Sequence, residues 1–173
     1  MIAAVVLLAA VVAVLAAALL RRHGLRRRPR PGRRRILVPF TGSTLDPTVL
    51  AAAIRIAQAE EATLVPAYLL LVPLRYSEES PLVEEVRVAM PLLEAVEHAA
   101  LRAGVPVDAR IEKGRTPPHA LRRLWESERF DRVIAPAPVE GRRGFTLKEL
   151  TWILANAPSE TLVLKPAPET QAS

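Results

Sequence analysis

Residues 2–20 form an unbroken apolar run of 19 side chains, and nine arginines follow it within the next fifteen positions. As a helix rising about 1.5 Å per residue, the run spans roughly 28 Å, close to the thickness of a bilayer's hydrocarbon core. Eight of its residues are Ala, so insertion is favourable without being strong. A buried core helix is a poor alternative, because so uniform a run leaves no polar face for water. A cleaved signal peptide is the sharper rival. It carries positive charge ahead of its apolar stretch, and here only Met1 precedes the run. The charge comes afterwards, at Arg21, Arg22, Arg26, Arg27, Arg28, Arg30, Arg33, Arg34 and Arg35. Basic residues flanking a span stay cytoplasmic. The sequence therefore predicts a transmembrane helix at 1–20 that crosses the cell membrane once, with the N-terminus outside and the C-terminal domain in the cytoplasm. Ala9, Ala13 and Ala17 share a four-residue spacing that suits helix–helix contact, though an Ala-rich run produces such spacing by chance.

Charge divides the chain at the same place. No acid precedes Asp46, and from Ile36 onward 15 bases face 18 acids. A basic stalk, residues 21–35, thus joins a mildly acidic domain, and the overall net charge of +6 describes neither part. Pro29, Pro31 and Gly32 argue against a continuous helix in the stalk. Its plain role is topology and spacing, with adhesion to anionic headgroups worth about 1 kcal/mol per basic residue near the surface. Nucleic acid is not an expected partner, because no aromatic residues interleave with the arginines. The absence of cysteine excludes disulfides, thiolate metal sites and a cysteine nucleophile.

Beyond the stalk, apolar runs alternate with helical patterns. Ile36–Phe40 reads as a buried strand. Asp46-Pro47 supplies an N-cap with proline at the first helical position, and Leu50, Ala53, Ile54 and Ala57 continue as a stripe. Thr63–Val72 is a second strand and residues 75–80 a polar loop. Leu82, Val86, Leu93, Val96 and Leu101 then recur near the helical period. Pro91 is expected to kink or divide that helix, and Gly104 to end it. Val105–Glu112 alternates as a half-exposed strand. Thr116-Pro117 opens a helix bearing Leu121, Leu124 and Trp125, and Val133–Ala135 is the fourth strand. Residues 136–145 form a loop, and Thr146 caps a helix carrying Leu147, Leu150, Ile153 and Leu154. Thr161–Leu164 is the fifth strand, and residues 166–173 are expected to be a disordered tail. Five strands alternating with four helices imply an α/β fold, a parallel sheet covered on both faces, with ligands bound at the strands' carboxyl ends where the winding reverses.

At residues 36–165 the chain resembles the universal stress protein family. The resemblance rests on Ile36-Leu37-Val38-Pro39 followed by Gly42-Ser43, Gly104-Val105-Pro106-Val107, Gly114, Phe130–Ala135, Ala157-Pro158 and Thr161–Leu164, taken in order. It implies strand order 3-2-1-4-5 and homodimers through the last strand. Family precedent adds an integral membrane protein, such as a transporter, as a partner.

Nucleotide-binding members of that family carry a glycine loop after the fourth strand. Glycines let backbone N–H groups approach phosphates, and a hydroxyl at the next helix adds a donor. Placed by the family's spacing, those positions hold Ile134, Ala137, Leu147 and Lys148, with Pro136 and Pro138 nearby. After the first strand, Thr41 stands where the family often has Asp. The pattern predicts a degenerate nucleotide motif and no cofactor. A shifted loop remains, Gly141–Thr146. There Arg142, Arg143, Gly144 and Thr146 are expected to face Thr41, Gly42 and Ser43 as a candidate anion site, and the plain alternative is a solvated loop with turn glycines.

Catalysis finds no support. His23 lies in the stalk, His98 among Glu94 and Glu97, and His119 in a helix's first turn, none with a metal-ligand partner at useful spacing. The pairs Glu60-Glu61, Glu78-Glu79 and Glu84-Glu85 read as exposed faces, since adjacent residues on a helix diverge. Trp125 and Trp152 read as core. The expected protein is a membrane-tethered, non-enzymatic regulatory or interaction module. The alternative is a nucleotide or anion sensor using the rebuilt loop.

Overall fold

Alternation along the first strand sets both faces of the sheet. In β1 (Arg35–Phe40) Ile36 and Val38 pack into one cluster and Leu37 into another, as a period of two requires. The computed structural model describes residues 33–42, 45–78, 82–138 and 144–165. The expected anchor, the stalk up to position 32 and the tail from Pro166 lie outside the described residues.

The remaining elements are α1 (Pro47–Ala59), β2 (Thr63–Leu71), α2 (Val83–Arg102), β3 (Arg110–Gly114), α3 (Pro117–Ser127), β4 (Arg132–Pro136), α4 (Leu147–Asn156) and β5 (Glu160–Leu164). The strands form one parallel sheet in the order β3-β2-β1-β4-β5, as the family resemblance implied. One face packs on α1 and α2 through Ile36, Val38, Leu64 and Ile134 against Ala53, Ala57, Val96 and Ala100. The other packs on α3 and α4 through Leu37, Val65, Ala67 and Val133 against Leu121, Leu124 and Ile153. Each large side chain so buried contributes about 1.5–3 kcal/mol.

The helix boundaries follow local chemistry. Asp46 Oδ1 accepts the N–H groups of Thr48 (2.8 Å) and Val49 (3.3 Å), and Thr116 Oγ1 accepts that of His119. Gly104 adopts φ 73°. Its N–H reaches Leu101 O while that of Val105 reaches Ala100 O, closing α2 in a Schellman motif.

Several expectations shift. Helix α2 runs on through Pro91 without division. Its buried stripe is Ala89, Leu93, Val96 and Ala100, while Leu101 is exposed. Val105–Glu112 is not one strand: Val107 makes an isolated bridge to Leu64, and β3 begins at Arg110, opposite Ala67. Of the four apolar residues named on α4, Leu150 and Ile153 are buried while Leu147 and Leu154 are exposed. Trp125 and Trp152 are half-buried and stacked on each other, with centroids 5.5 Å apart and an interplanar angle of 9°.

Candidate functional site at the carboxyl end of the sheet

β1 and β4 lie side by side, and the chain leaves them in opposite directions, towards β2 and β5. Such a reversal opens a crevice at the strands' carboxyl ends. Thr41 and Gly42 follow β1 directly and are half-buried, Gly42 at φ 82°, a conformation glycine enters without steric cost. Pro136, Ala137 and Pro138 follow along β4. Gly144, Phe145 and Thr146 lead into α4, whose N-terminus returns to the same end of the sheet. Ser43, Arg142 and Arg143 lie outside the described residues.

Several of the described donors at this end are engaged. Pro136 and Pro138 have no N–H, and the amide of Ala137 donates to Leu164 O at 2.8 Å. At the start of α4 a capping box closes on itself. The Thr146 amide and hydroxyl donate to Glu149 Oε2 at 2.7 and 2.9 Å, and the Glu149 amide donates back to Thr146 Oγ1 at 3.2 Å. A carboxylate therefore already sits at the positive end of the helix dipole. Gly144 is exposed, and a Cβ there would meet nothing within 4 Å, so no close approach requires this glycine. Ile134 is fully buried inside β4, and Leu147 is 71% exposed on the first turn of α4. Beside this end, Phe40 meets Tyr68 edge-on at 5.5 Å. Burial, reinforced by Glu85, raises the Tyr68 hydroxyl above its ordinary pKa.

Most charge order lies elsewhere. At the strands' amino ends Arg35 binds Glu128 (2.6 Å) and Asp108 (3.1 Å), and Arg110 binds the same two carboxylates. Arg132 joins Glu60 and Glu160. The hydrogen bonds to Glu160 lead in raising the Arg132 guanidinium's pKa. Glu60 is thus an ion-pair partner and not simply an exposed face. Glu78 differs from expectation in the same way: Arg115 and Arg123 both reach it. Glu84 keeps to the surface, paired with Arg87. Sequence reading missed these networks, because apart from Arg110 with Asp108 their partners lie 18 or more residues apart and no local pattern marks them. A groove of about 590 Å³ also opens at the amino end, lined by Trp125, Phe130 and Pro158 among others. Two of its carboxylates, Glu128 and Asp131, are engaged by Arg35.

His98 is exposed. The His119 ring accepts the Arg115 amide. Among the described residues no cluster of three or more His, Cys, Asp or Glu side chains could hold a metal ion. Nor, among them, is any helix long and apolar enough to cross a membrane.

A family model described as the Universal stress protein family matches residues 32–165. Among solved structures, one from that family in Burkholderia pseudomallei is 20% identical at a TM-score of 0.57, the match covering 80% of this chain and 100% of that one. A universal stress protein in complex with cAMP is 18% identical at a TM-score of 0.55, covering 78% and 98%. An Arabidopsis thaliana protein of the family with AMP bound is 15% identical at a TM-score of 0.52, covering 79% and 97%. Likeness at such identities is one of fold. No curated protein matches the chain.

Proposed function

The chain belongs to the universal stress protein family, and on that premise we propose that it is a non-catalytic regulatory module, tethered to the membrane by residues 2–20, that acts by contact and does not bind ATP. The domain faces the cytoplasm, and its partners are a second copy of itself or an integral membrane protein such as a transporter. One observation carries the reading. Three donors described at this end of the sheet already have intramolecular acceptors: Ala137 N–H on Leu164, and the Thr146 amide and hydroxyl on Glu149. A triphosphate would have to break these bonds and displace a carboxylate from the helix end, with two prolines beside it that donate nothing.

The second reading is a nucleotide or anion sensor, favoured by relatives of the same fold that hold cAMP and AMP. Titrating the chain from Arg33 onward with ATP, AMP and pyrophosphate by calorimetry separates the two. The contact module shows dissociation constants weaker than about 1 mM, a binding free energy below roughly 4 kcal/mol. Micromolar, adenine-dependent binding establishes the sensor instead. Weak binding that is salt-sensitive and indifferent to the base would mark an anion held by charge alone.

A further inference from the structure

Arg115 straps down the segment that follows β2. Arg115 Nη1 donates to the carbonyls of Val72 (3.3 Å), Pro73 (2.7 Å) and Tyr76 (2.9 Å), and its Nε lies 3.2 Å from Glu78 Oε1. Glu78 Oε2 takes Arg123 Nη1 at 3.1 Å. His119 stands between the strap and the turn. Its Nδ1 accepts the backbone N–H of Arg115 at 3.2 Å and lies 3.6 Å from Glu78 Oε1. An imidazole nitrogen that accepts a hydrogen bond carries no proton, so this geometry belongs to the neutral ring.

We propose that His119 is the sensor of a pH-responsive latch that holds the Val72–Glu78 strap. Taking up a proton at Nδ1 turns the acceptor into a donor. The Arg115 amide then faces another N–H and loses its partner, while the new N–H turns to Glu78 Oε1 and competes there with Arg115 Nε. Acid thus moves the hold on Glu78 from the β3–α3 turn onto α3 itself. Among the described residues, the charged groups near the ring include Glu78 from the strap, Arg115 from the turn, Arg123 one turn further along α3, and Glu112 on β3 behind Arg123. The His119 side chain is 37% exposed, so the proton arrives from solvent without any opening of the core. The strap presents Leu74, 89% exposed, and Tyr76 with the Arg75 guanidinium 4.9 Å above its ring.

The test is nuclear magnetic resonance on the full-length protein between about pH 7.5 and about pH 5, the range in which histidine is the natural switch. The expected result is a roughly fivefold gain in exchange of the Arg115 amide, corrected for its intrinsic rate, as one net hydrogen bond is lost. Its midpoint coincides with that of the His119 ring protons. His119→Asn keeps a side-chain acceptor near the amide without a titrating group, and it leaves the amide equally protected at both ends of the range. An Arg115 amide indifferent to pH, a response that persists in His119→Asn, or a midpoint separate from the ring's own overturns the latch. The last comparison uses only the natural protein, so it decides even if the variant fails to fold.

Discussion

Gly114 ends β3 at the place where the strand meets α3 most closely. A Cβ built on it would lie 2.6 Å from the Ala120 amide nitrogen, 2.9 Å from its Cα and 2.8 Å from its Cβ. Two of these atoms are backbone, fixed by the first turn of α3, so no rotamer change relieves the clash. The same residue's carbonyl accepts the Val72 amide at 2.9 Å, so a shift of Gly114 also disturbs the start of the strap. Gly114→Ala should therefore lower stability by about 1–3 kcal/mol, the usual cost of overpacking, read as a lower urea midpoint. An unchanged midpoint would show that strand and helix do not approach this closely. Glu61 is a different case of backbone demand. It holds φ 50° at the end of α1, where its amide reaches Gln58 O and the Ala62 amide reaches Ala57 O. This is the same closure that Gly104 gives α2, made here without glycine.

Elements whose limits rest on neighbouring residues were legible, and those resting on distant partners were not. Asp46-Pro47, Thr116-Pro117 and Thr146 with Glu149 each carry a cap within four residues, and each caps the helix expected of it. Thr41, Gly42 and Thr146 could be placed at one end of the sheet from chain order alone. That the Ala137 amide is engaged could not be read, because its acceptor, Leu164, belongs to the next strand. Pro91 misleads because proline removes a single N–H, and α2 keeps its remaining bonds and an apolar stripe on the sheet. The slip at β3 arises because period-two alternation recurs across residues 105–112, while pairing with β2 selects only the later residues. Packing also creates a pH dependence that no pattern announces. Burial raises the Glu97 carboxyl above its usual 4.5, and Glu94 and Asp108 push it further. A raised native value means that the folded protein keeps its proton where the unfolded chain has released it, so this group's contribution falls as pH climbs through that window. Glu97→Gln should therefore stabilise the protein at neutral pH relative to the natural chain, and the advantage should vanish below the ordinary carboxylate range. Urea midpoints for both proteins across that range check it. A gain that does not change with pH would point to helix propensity instead.

At the scale of the whole molecule, the proposed anchor raises the question of which side of a membrane would hold the domain. The chain enters the fold at the sheet's amino end. Arg35 is already the first residue of β1, bound to Asp108 and Glu128, and Arg34 lies 3.5 Å from Glu60. These two of the nine arginines thus have carboxylate partners inside the domain, and the other seven precede them in the sequence. Those seven still follow the apolar run without an intervening acid. Moving them through the membrane would be opposed both by the cost of burying each charge and by the bias that keeps basic flanks cytoplasmic. The domain's own charge, acidic by a small margin, gives no opposing pull, since acids contribute little to orientation. A reporter enzyme fused after Ser173 should therefore be active only in the cytoplasm, and the protein should sediment with membranes and resist extraction by salt. Replacing Arg21, Arg22, Arg26, Arg27 and Arg28 together by Gln should weaken that orientation and yield a mixed population, because two arginines then remain near the span. Activity on the outer side in the natural chain, or a mature N-terminus beginning after Ala18, would mean that the run is a signal peptide and that the domain is released.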